Sequence, residues 1–308
     1  MEQLPAELLD AVAAVVGAEV TLLGRLPGGV NGGALRVRVA GRAEAVLKAA
    51  PRAYPGHLDE TLRAQRVVEH MRRRGYPTPA WLGVGATATH VWHLTDVVEA
   101  APAPELTPSL VEQLMETIEL QAGQASEPYD HWSYAWRVAT GQGSAAGGAA
   151  VDETPEQLRL RRSMAGLPRY SADVSALVER LRLVCADVPS PRGAPDMVHA
   201  DLATPGNVLV RNGAVVAVVD IGNAGSGTRA IDLTALAWYS YRDPLLDGVR
   251  GRLWTRVLEL VGREGAAVLA ASQVLHMLEV PIRRGRHDVV PGVVERGHRT
   301  IDELSALR

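Results

Sequence analysis

The densest run of chemically useful side chains lies between Val198 and Gly222. It reads Val-His-Ala-Asp-Leu-Ala-Thr-Pro-Gly-Asn-Val-Leu-Val, then a short turn, then Val-Val-Asp-Ile-Gly. Asp201, Asn207 and Asp220 each sit at the end of a short apolar segment. Short strands bury their middles and leave their ends accessible, so three such polar groups can converge on one cleft. A carboxylate and an amide, separated by a hairpin from a second carboxylate, supply hard oxygen ligands. That set suits Mg²⁺ held partly by phosphate oxygens. The carboxylate left over can orient a hydroxyl and take its proton.

A second signal stands far upstream. The chain has 32 basic side chains of the Lys and Arg types, and Lys48 is the one lysine among them. It interrupts the apolar run Ala45-Val46-Leu47-Lys48-Ala49-Ala50. Arg offers a wide planar fork, whereas Lys is a compact point charge on a thin stem. A lysine kept in an internal strand of an arginine-rich chain points to a point charge in a narrow space, and phosphate is the common partner of such a charge. The Gly-rich stretch Pro27–Gly33 precedes it without the Gly-Lys-Ser/Thr ending of a Walker loop.

The elements that must position these groups follow from periodicity. Residues 5–16 read as an amphipathic helix closed by Gly17. Strands are expected over 20–26, 34–39 and 43–49, the second alternating Leu35, Val37 and Val39 with Arg36 and Arg38. A helix is expected over 58–74, ended by Gly75 and the Pro77/Pro79 pair, and a strand over 91–98. Residues 100–104 read as a linker. Beyond it the pattern is mainly helical, with starts at Thr107-Pro108, Thr154-Pro155 and Ser171. A β-hairpin interrupts at 208–219, turning at Arg211-Asn212-Gly213.

Composition excludes several classes. The net charge of −3 gives no general attraction to nucleic acid. A single cysteine, Cys185, leaves no disulfide framework and no cysteine-based metal cluster. The start lacks a basic region followed by an apolar core, so no signal peptide is expected. No apolar run approaches the roughly 20 residues of a membrane span. A cytoplasmic protein that does not associate with membranes is expected. Residues 1–98 carry 11 basic and 9 acidic side chains, and the remainder carries 21 and 26. That asymmetry suits an anionic ligand in the first part and a cationic one in the second.

Residues 198–222 resemble the catalytic core of the aminoglycoside phosphotransferase family, which shares the protein-kinase fold. The family pattern is His-x-Asp, an Asn before a β-hairpin, then Asp-x-Gly. The resemblance implies that Asp201 is the catalytic base, that Asn207 and Asp220 bind Mg²⁺, and that His199 braces the loop. It makes Asp232 a structural residue. It implies that the Gly28–Gly33 loop, with Gly28, Gly29, Asn31 and Gly32, covers the ATP phosphates, and that Lys48 pairs with the α- and β-phosphates. It places the Asp96 carbonyl and the Val98 N–H against adenine, in ATP or, alternatively, GTP. The loop from Asp201 to Asn207 takes six steps where the pattern has five. The helical acid that should hold Lys48 is open between Glu60 and Glu69, with Gln65 near the usual position.

The expected fold is therefore α+β and bilobal, kinase-like, with a β-rich nucleotide-binding lobe over 1–98 and a larger, mainly helical lobe over 99–308. The expected function is ATP·Mg-dependent phosphoryl transfer to a hydroxyl of a small molecule. The acidity of the second lobe favours a cationic antibiotic, with Asp130, Asp152, Glu153, Glu156, Asp243 and Asp247 as acidic candidates. A metabolic kinase of the choline, homoserine or sugar type and a non-catalytic nucleotide-binding pseudokinase are the alternatives. The chain is expected to act as a monomer or homodimer.

Overall fold

A computed structural model describes residues 6–26, 34–125, 129–142, 155–191, 194–204 and 206–307. The chain forms two compact units. The first contains residues 1–105 and 204–223, and the second contains 106–203 and 224–308.

In the first unit, helix α1 (Ala6–Val16) is followed by strands β1 (Val20–Arg25), β2 (Leu35–Val39) and β3 (Glu44–Pro51). Helix α2 (His57–Arg73) comes next, then β4 (Trp81–Ala86) and β5 (His90–Asp96). The strands form one antiparallel sheet in the order β1-β2-β3-β5-β4. Alternation sorts its faces. Val37, Val39, Ala45, Leu47, Trp92 and Leu94 pack with Leu8 and Val12 of α1 in one apolar cluster. Val46, Lys48, His93 and Thr95 therefore belong to the opposite face.

Strand β4 was not evident from its sequence, Trp-Leu-Gly-Val-Gly-Ala, because two glycines weaken its strand propensity. The structure gives Gly85 a reason. A Cβ there would lie 2.5 Å from the Trp92 ring, which crosses the strand at that point. The expected linker likewise includes a short strand, β6 (Ala101–Pro102), paired with β8 (Val208–Arg211). With β9 (Ala214–Val218) these make a second, three-stranded sheet in the first unit. The β8–β9 turn has Asn212 at φ 53° and Gly213 at φ 77°, the two positive angles of a type I′ hairpin.

The second unit is mainly helical: α3 (Pro108–Glu119), α4 (His131–Thr140), α5 (Pro155–Met164), α6 (Ala172–Val184), α7 (Ala230–Ser240), α8 (Asp247–Arg283) and α9 (Val290–Ala306). Thr107 and Ser171 cap α3 and α6 through their hydroxyls. α8 breaks at Gly262, whose φ is 68°. The segment Pro244–Arg283 is long and apolar enough to cross a bilayer by length and composition. Its Val268, Ala271, Val274, Leu275 and Leu278 instead pack with Leu177, Leu181, Trp238 and Ile301 in the core of the unit.

One small sheet sits among the helices, β7 (Asp196–Val198) antiparallel to β10 (Gly225–Gly227). It leads directly into His199. A Cβ on Gly225 would lie 2.4 Å from the Tyr129 carbonyl oxygen, so backbone would have to move. Gly225→Ala is expected to cost about 2 kcal/mol or more, seen as a lower melting temperature by calorimetry. Gly248→Ala, in helix α8 where a Cβ meets nothing within 4 Å, should leave melting unchanged or raise it slightly.

Candidate active site

Lys48 projects from the face of β3 opposite the α1 core. Its Nζ lies 3.2 Å from Oδ1 of Asp220. Across the strand pair its register partner is His93 on β5. The His93 ring stacks on Trp81, with centroids 4.1 Å apart and planes 3° from parallel. Burial pushes the His93 imidazole down to about 4, and the neighbouring Lys48 charge pushes the same way, with Asp220 opposing. The ring next to Lys48 is thus neutral at physiological pH. From sequence, His93 reads as an ordinary polar or packing residue; the strand register that sets it beside Lys48 could not be read from spacing alone.

Asn207 and Asp220 flank the open end of the β8–β9 hairpin. The Val219 N–H donates to the Asn207 carbonyl at 2.8 Å, and the Asn207 N–H donates to Thr204. The Asn207 residue is buried, whereas the Asp220 side chain is 51% exposed. Asp220 has φ +67°, a left-handed conformation that residues with a Cβ seldom adopt. The hairpin is also tied to the turn after α2, because the Val218 N–H donates to the Pro77 carbonyl. Lys48, Asp220 and the Asn207 backbone are therefore brought together in one unit.

No carboxylate from α2 joins them. Glu60 accepts a hydrogen bond from the Tyr54 hydroxyl, and Glu69 is exposed. The ion-pair partner of Lys48 is Asp220, which corrects the expectation of a helical acid. Of the two residues expected against adenine, Asp96 ends β5 exposed, its carbonyl accepting from the Thr95 hydroxyl at 3.3 Å, and Val98 is partly buried. Gly28, Gly29, Asn31 and Gly32 lie outside the described residues.

The second unit holds the His-x-Asp loop. His199 leaves β7 fully buried. Its backbone N–H donates to Asp232 Oδ2 at 2.8 Å, the Ala200 N–H donates to Oδ1 at 3.0 Å, and the Gln121 amide donates to Oδ2 at 3.0 Å. Burial raises the Asp232 carboxyl pKa, and its hydrogen bonds and His199 oppose that rise. Ala200 has φ +67°. The Asp201 N–H donates to His199 Nδ1 at 3.3 Å, which puts the proton of a neutral ring on Nε2. Asp201 itself is partly exposed.

The start of α7, which carries Asp232, is fixed a second time. Asp196 accepts from the Arg229 N–H at 3.1 Å, from Arg229 Nη1 at 2.9 Å and from the Gly123 N–H at 3.0 Å. Arg229 also pairs with Glu119, whose carboxyl is held below the usual range chiefly by its hydrogen bond from Arg256.

Among the described residues, no three His, Cys, Asp or Glu side chains gather into a metal cage. One carboxylate and one amide residue at a hairpin mouth fit Mg²⁺, which keeps several waters and draws its other ligands from phosphates. Three acidic candidates for substrate binding are engaged locally. Asp130 caps α4, accepting from the N–H groups of Trp132 and Ser133 at 3.0 Å. Asp243 accepts from the Leu245 N–H, and Asp247 pairs with Arg250 at 2.8 Å. Asp152 and Glu153 lie outside the described residues.

A β-rich unit with a strand lysine on an Asp-x-Gly carboxylate, together with a helical unit holding a His-x-Asp loop, defines a kinase-like phosphotransferase. Residues 24–269 match the model of the phosphotransferase enzyme family (APH), and the chain belongs to that family. Among solved structures it is similar to aminoglycoside phosphotransferase APH(4)-Ia, at 19% identity and TM-score 0.62, covering 96% of both chains. A thermostable mutant of that protein, in ternary complex with ADP and hygromycin B, aligns at 18% identity and TM-score 0.62, covering 92% of this chain and 95% of that one. A protein described as a fructosamine-3-kinase from Thermobifida fusca YX-ER1 aligns at 23% identity and TM-score 0.57, covering 94% and 97%. Comparison with functionally curated proteins gives no match.

Two consequences follow for stability. An Asp232→Asn amide would turn donors toward backbone N–H groups in a buried site, so a loss of about 3 kcal/mol or more is expected in denaturant unfolding. His93 has a lowered folded pKa, so the unfolded chain binds the extra proton first as pH falls. Its contribution is whole above about pH 6.5 and is lost progressively toward pH 4, by at most about 3 kcal/mol. His93→Gln should flatten the melting temperature across that window; an unchanged pH profile would refute the assignment.

Proposed function

We propose that this phosphotransferase moves the γ-phosphoryl group of Mg·ATP to a hydroxyl of a cationic antibiotic, an aminoglycoside or basic peptide, and so confers tolerance to it. The observation that carries the phosphotransfer reading is the Lys48–Asp220 pair, 3.2 Å apart, in a chain of this family. Lys48 is assigned to the α- and β-phosphates. The Asp96 carbonyl and Val98 N–H are assigned to the purine, and Gly28, Gly29, Asn31 and Gly32 to the phosphates. Asn207 and Asp220 are assigned to Mg²⁺, which neutralises phosphate charge when bound.

Asp201 is assigned as the base. It accepts the acceptor's hydroxyl proton as that oxygen bonds to the γ-phosphorus. The bond from phosphorus to the β-phosphate bridging oxygen breaks, and ADP leaves with that electron pair. His199 keeps the loop in place by accepting from the Asp201 N–H. The enzyme acts in the cytoplasm, where ATP is available.

The acceptor assignment rests on charge. Residues 99–308 carry five more acidic than basic side chains. Because Asp130, Asp243 and Asp247 already serve local partners, the attraction comes from the summed field of the region more than from a ring of free carboxylates. A field of exposed charges is screened over about 10 Å at 0.1 M salt. The same local engagement favours a second reading, a metabolic kinase of the choline, homoserine or sugar type. One fold relative, described as a fructosamine-3-kinase, is of that broad kind.

Asp201→Asn should lower turnover by roughly 10²–10⁴-fold while leaving nucleotide affinity nearly intact. Wild-type turnover in that variant would sink the base assignment. Lys48→Arg should impair phosphate alignment despite its charge. Amine-directed reagents should modify Lys48 and the N-terminus, with Mg·ATP protecting Lys48; labelling indifferent to nucleotide would remove Lys48 from the site. For a cationic antibiotic, KM should rise with ionic strength and expression should raise tolerance in a sensitive bacterium. Efficient phosphorylation of a neutral metabolite, with no antibiotic modified across a broad panel, would establish the second reading instead.

A further inference from the structure

The buried face of α2 consists of Arg63, Ala64, Val67, Val68 and Met71. Four of these are small or apolar. The fifth is a guanidinium, and Arg63 is only 7% exposed. Burying such a charge is costly unless it gains polar partners. Arg63 Nη2 donates to the Gly222 carbonyl at 3.1 Å, inside the 3₁₀ turn Ile221–Asn223. That turn begins immediately after Asp220 and inserts Ile221 into the interior, 1% exposed. α2 packs against the same turn. Lys48 pairs with Asp220 and not with an acid of α2, and Arg63 links this helix to the turn that follows Asp220.

We infer that Arg63 is a positioning residue for Asp220. It locks the 221–223 turn to α2 and thereby holds the left-handed backbone that aims the Asp220 carboxylate. An arginine suits this place because its fork reaches past the packed face to a backbone carbonyl, while a lysine offers one compact head on a simpler stem. The inference rests on the reading of Asp220 as a Mg²⁺ ligand. It adds to that reading a coupling between α2 and the metal loop that runs through a cation, with no helical carboxylate on Lys48.

The test uses the full chain with Mn²⁺ as the metal probe and AMP-PNP as the nucleotide. Mn²⁺ affinity of the AMP-PNP complex is read by electron paramagnetic resonance, and metal-free AMP-PNP affinity by calorimetry in EDTA. Arg63→Met should weaken Mn²⁺ binding by roughly 10–100-fold, the usual cost of losing a residue that orients a metal ligand. Metal-free AMP-PNP affinity should stay within about twofold, a split that general loss of structure would not produce. Arg63→Lys should fall between, with at least about a threefold loss. Wild-type Mn²⁺ affinity in folded Arg63→Met overturns the inference. If Arg63→Met does not fold, Arg63→Lys decides: Mn²⁺ affinity within about twofold of wild type overturns it, and a larger selective loss supports it. Asp220→Asn separates the two readings. Unchanged Mn²⁺ affinity there removes Asp220 as a ligand and the inference with it, whereas a loss there with none in the Arg63 variants refutes the Arg63 role alone.

Discussion

Two side-chain-bearing residues at or beside candidate site positions, one in each unit, are held in left-handed backbone, Ala200 and Asp220, both at φ +67°. A Cβ in that region costs about 1–2 kcal/mol, and such strain persists only where the surroundings over-determine it. Asn212, at φ 53°, is the third such residue among those described, and it is cheaper because Asn tolerates the conformation in a hairpin turn. Ala has no polar side chain to offset its strain. What holds it is the Ala200 N–H on Asp232. What holds Asp220 is the hairpin mouth on one side and the Ile221–Asn223 turn on the other. The surroundings of each position can be understood as the clamp that this conformation requires.

Asp232 is central to the first clamp. A buried carboxylate is unfavourable by itself, and the rise in its pKa expresses that cost. Three donors from two separate segments offset it: the backbone N–H groups of His199 and Ala200 from the loop after β7, and the Gln121 amide from just beyond α3. Because the donors belong to different segments, satisfying one buried acceptor fixes all of them relative to α7. The Asp196–Arg229–Glu119–Arg256 chain repeats the device a few residues earlier, with opposite charges paired throughout. The loop carrying Asp201 is therefore set by buried polar satisfaction, with His199 as its last link.

Much of this was legible in the sequence because the candidate site groups form a recognisable pattern of residue types and spacing. The isolated Lys48, the His-Ala-Asp segment and the Asn-hairpin-Asp arrangement identify a phosphotransferase before any coordinates are considered. The Asn212-Gly213 turn was legible because its backbone demands those residue types. Strand β4 was hidden because Gly85 makes room for the Trp92 ring that crosses it and Gly83 for the close approach of Val15 from α1, tertiary demands that override strand propensity. The partner of Lys48 was misread as a helical acid because spacing along α2 does not reveal which side chain turns inward. The structure turns Arg63 inward and gives Glu60 to Tyr54. Domain division is the hardest to read along a chain, since residues 204–223 pack with the first unit although they follow most of the second in sequence.

The contrast between Arg63 and Lys48 gives the composition a physical meaning. Arg63 must pass a packed helix face and hydrogen-bond a neutral carbonyl, a directional task suited to a fork. Lys48 must sit on a strand, 3.2 Å from a carboxylate that is half-exposed, and remain able to address other anions. Its cross-strand neighbour reinforces that choice. Directly opposed side chains of an antiparallel pair lie about 5 Å apart, so a charged His93 would repel Lys48 across the strands. Burial first, and then the Lys48 charge itself, keep the ring neutral and remove that repulsion. Among the described residues, the cation on β3 pairs with Asp220, and its position reports directly on the turn that Arg63 secures.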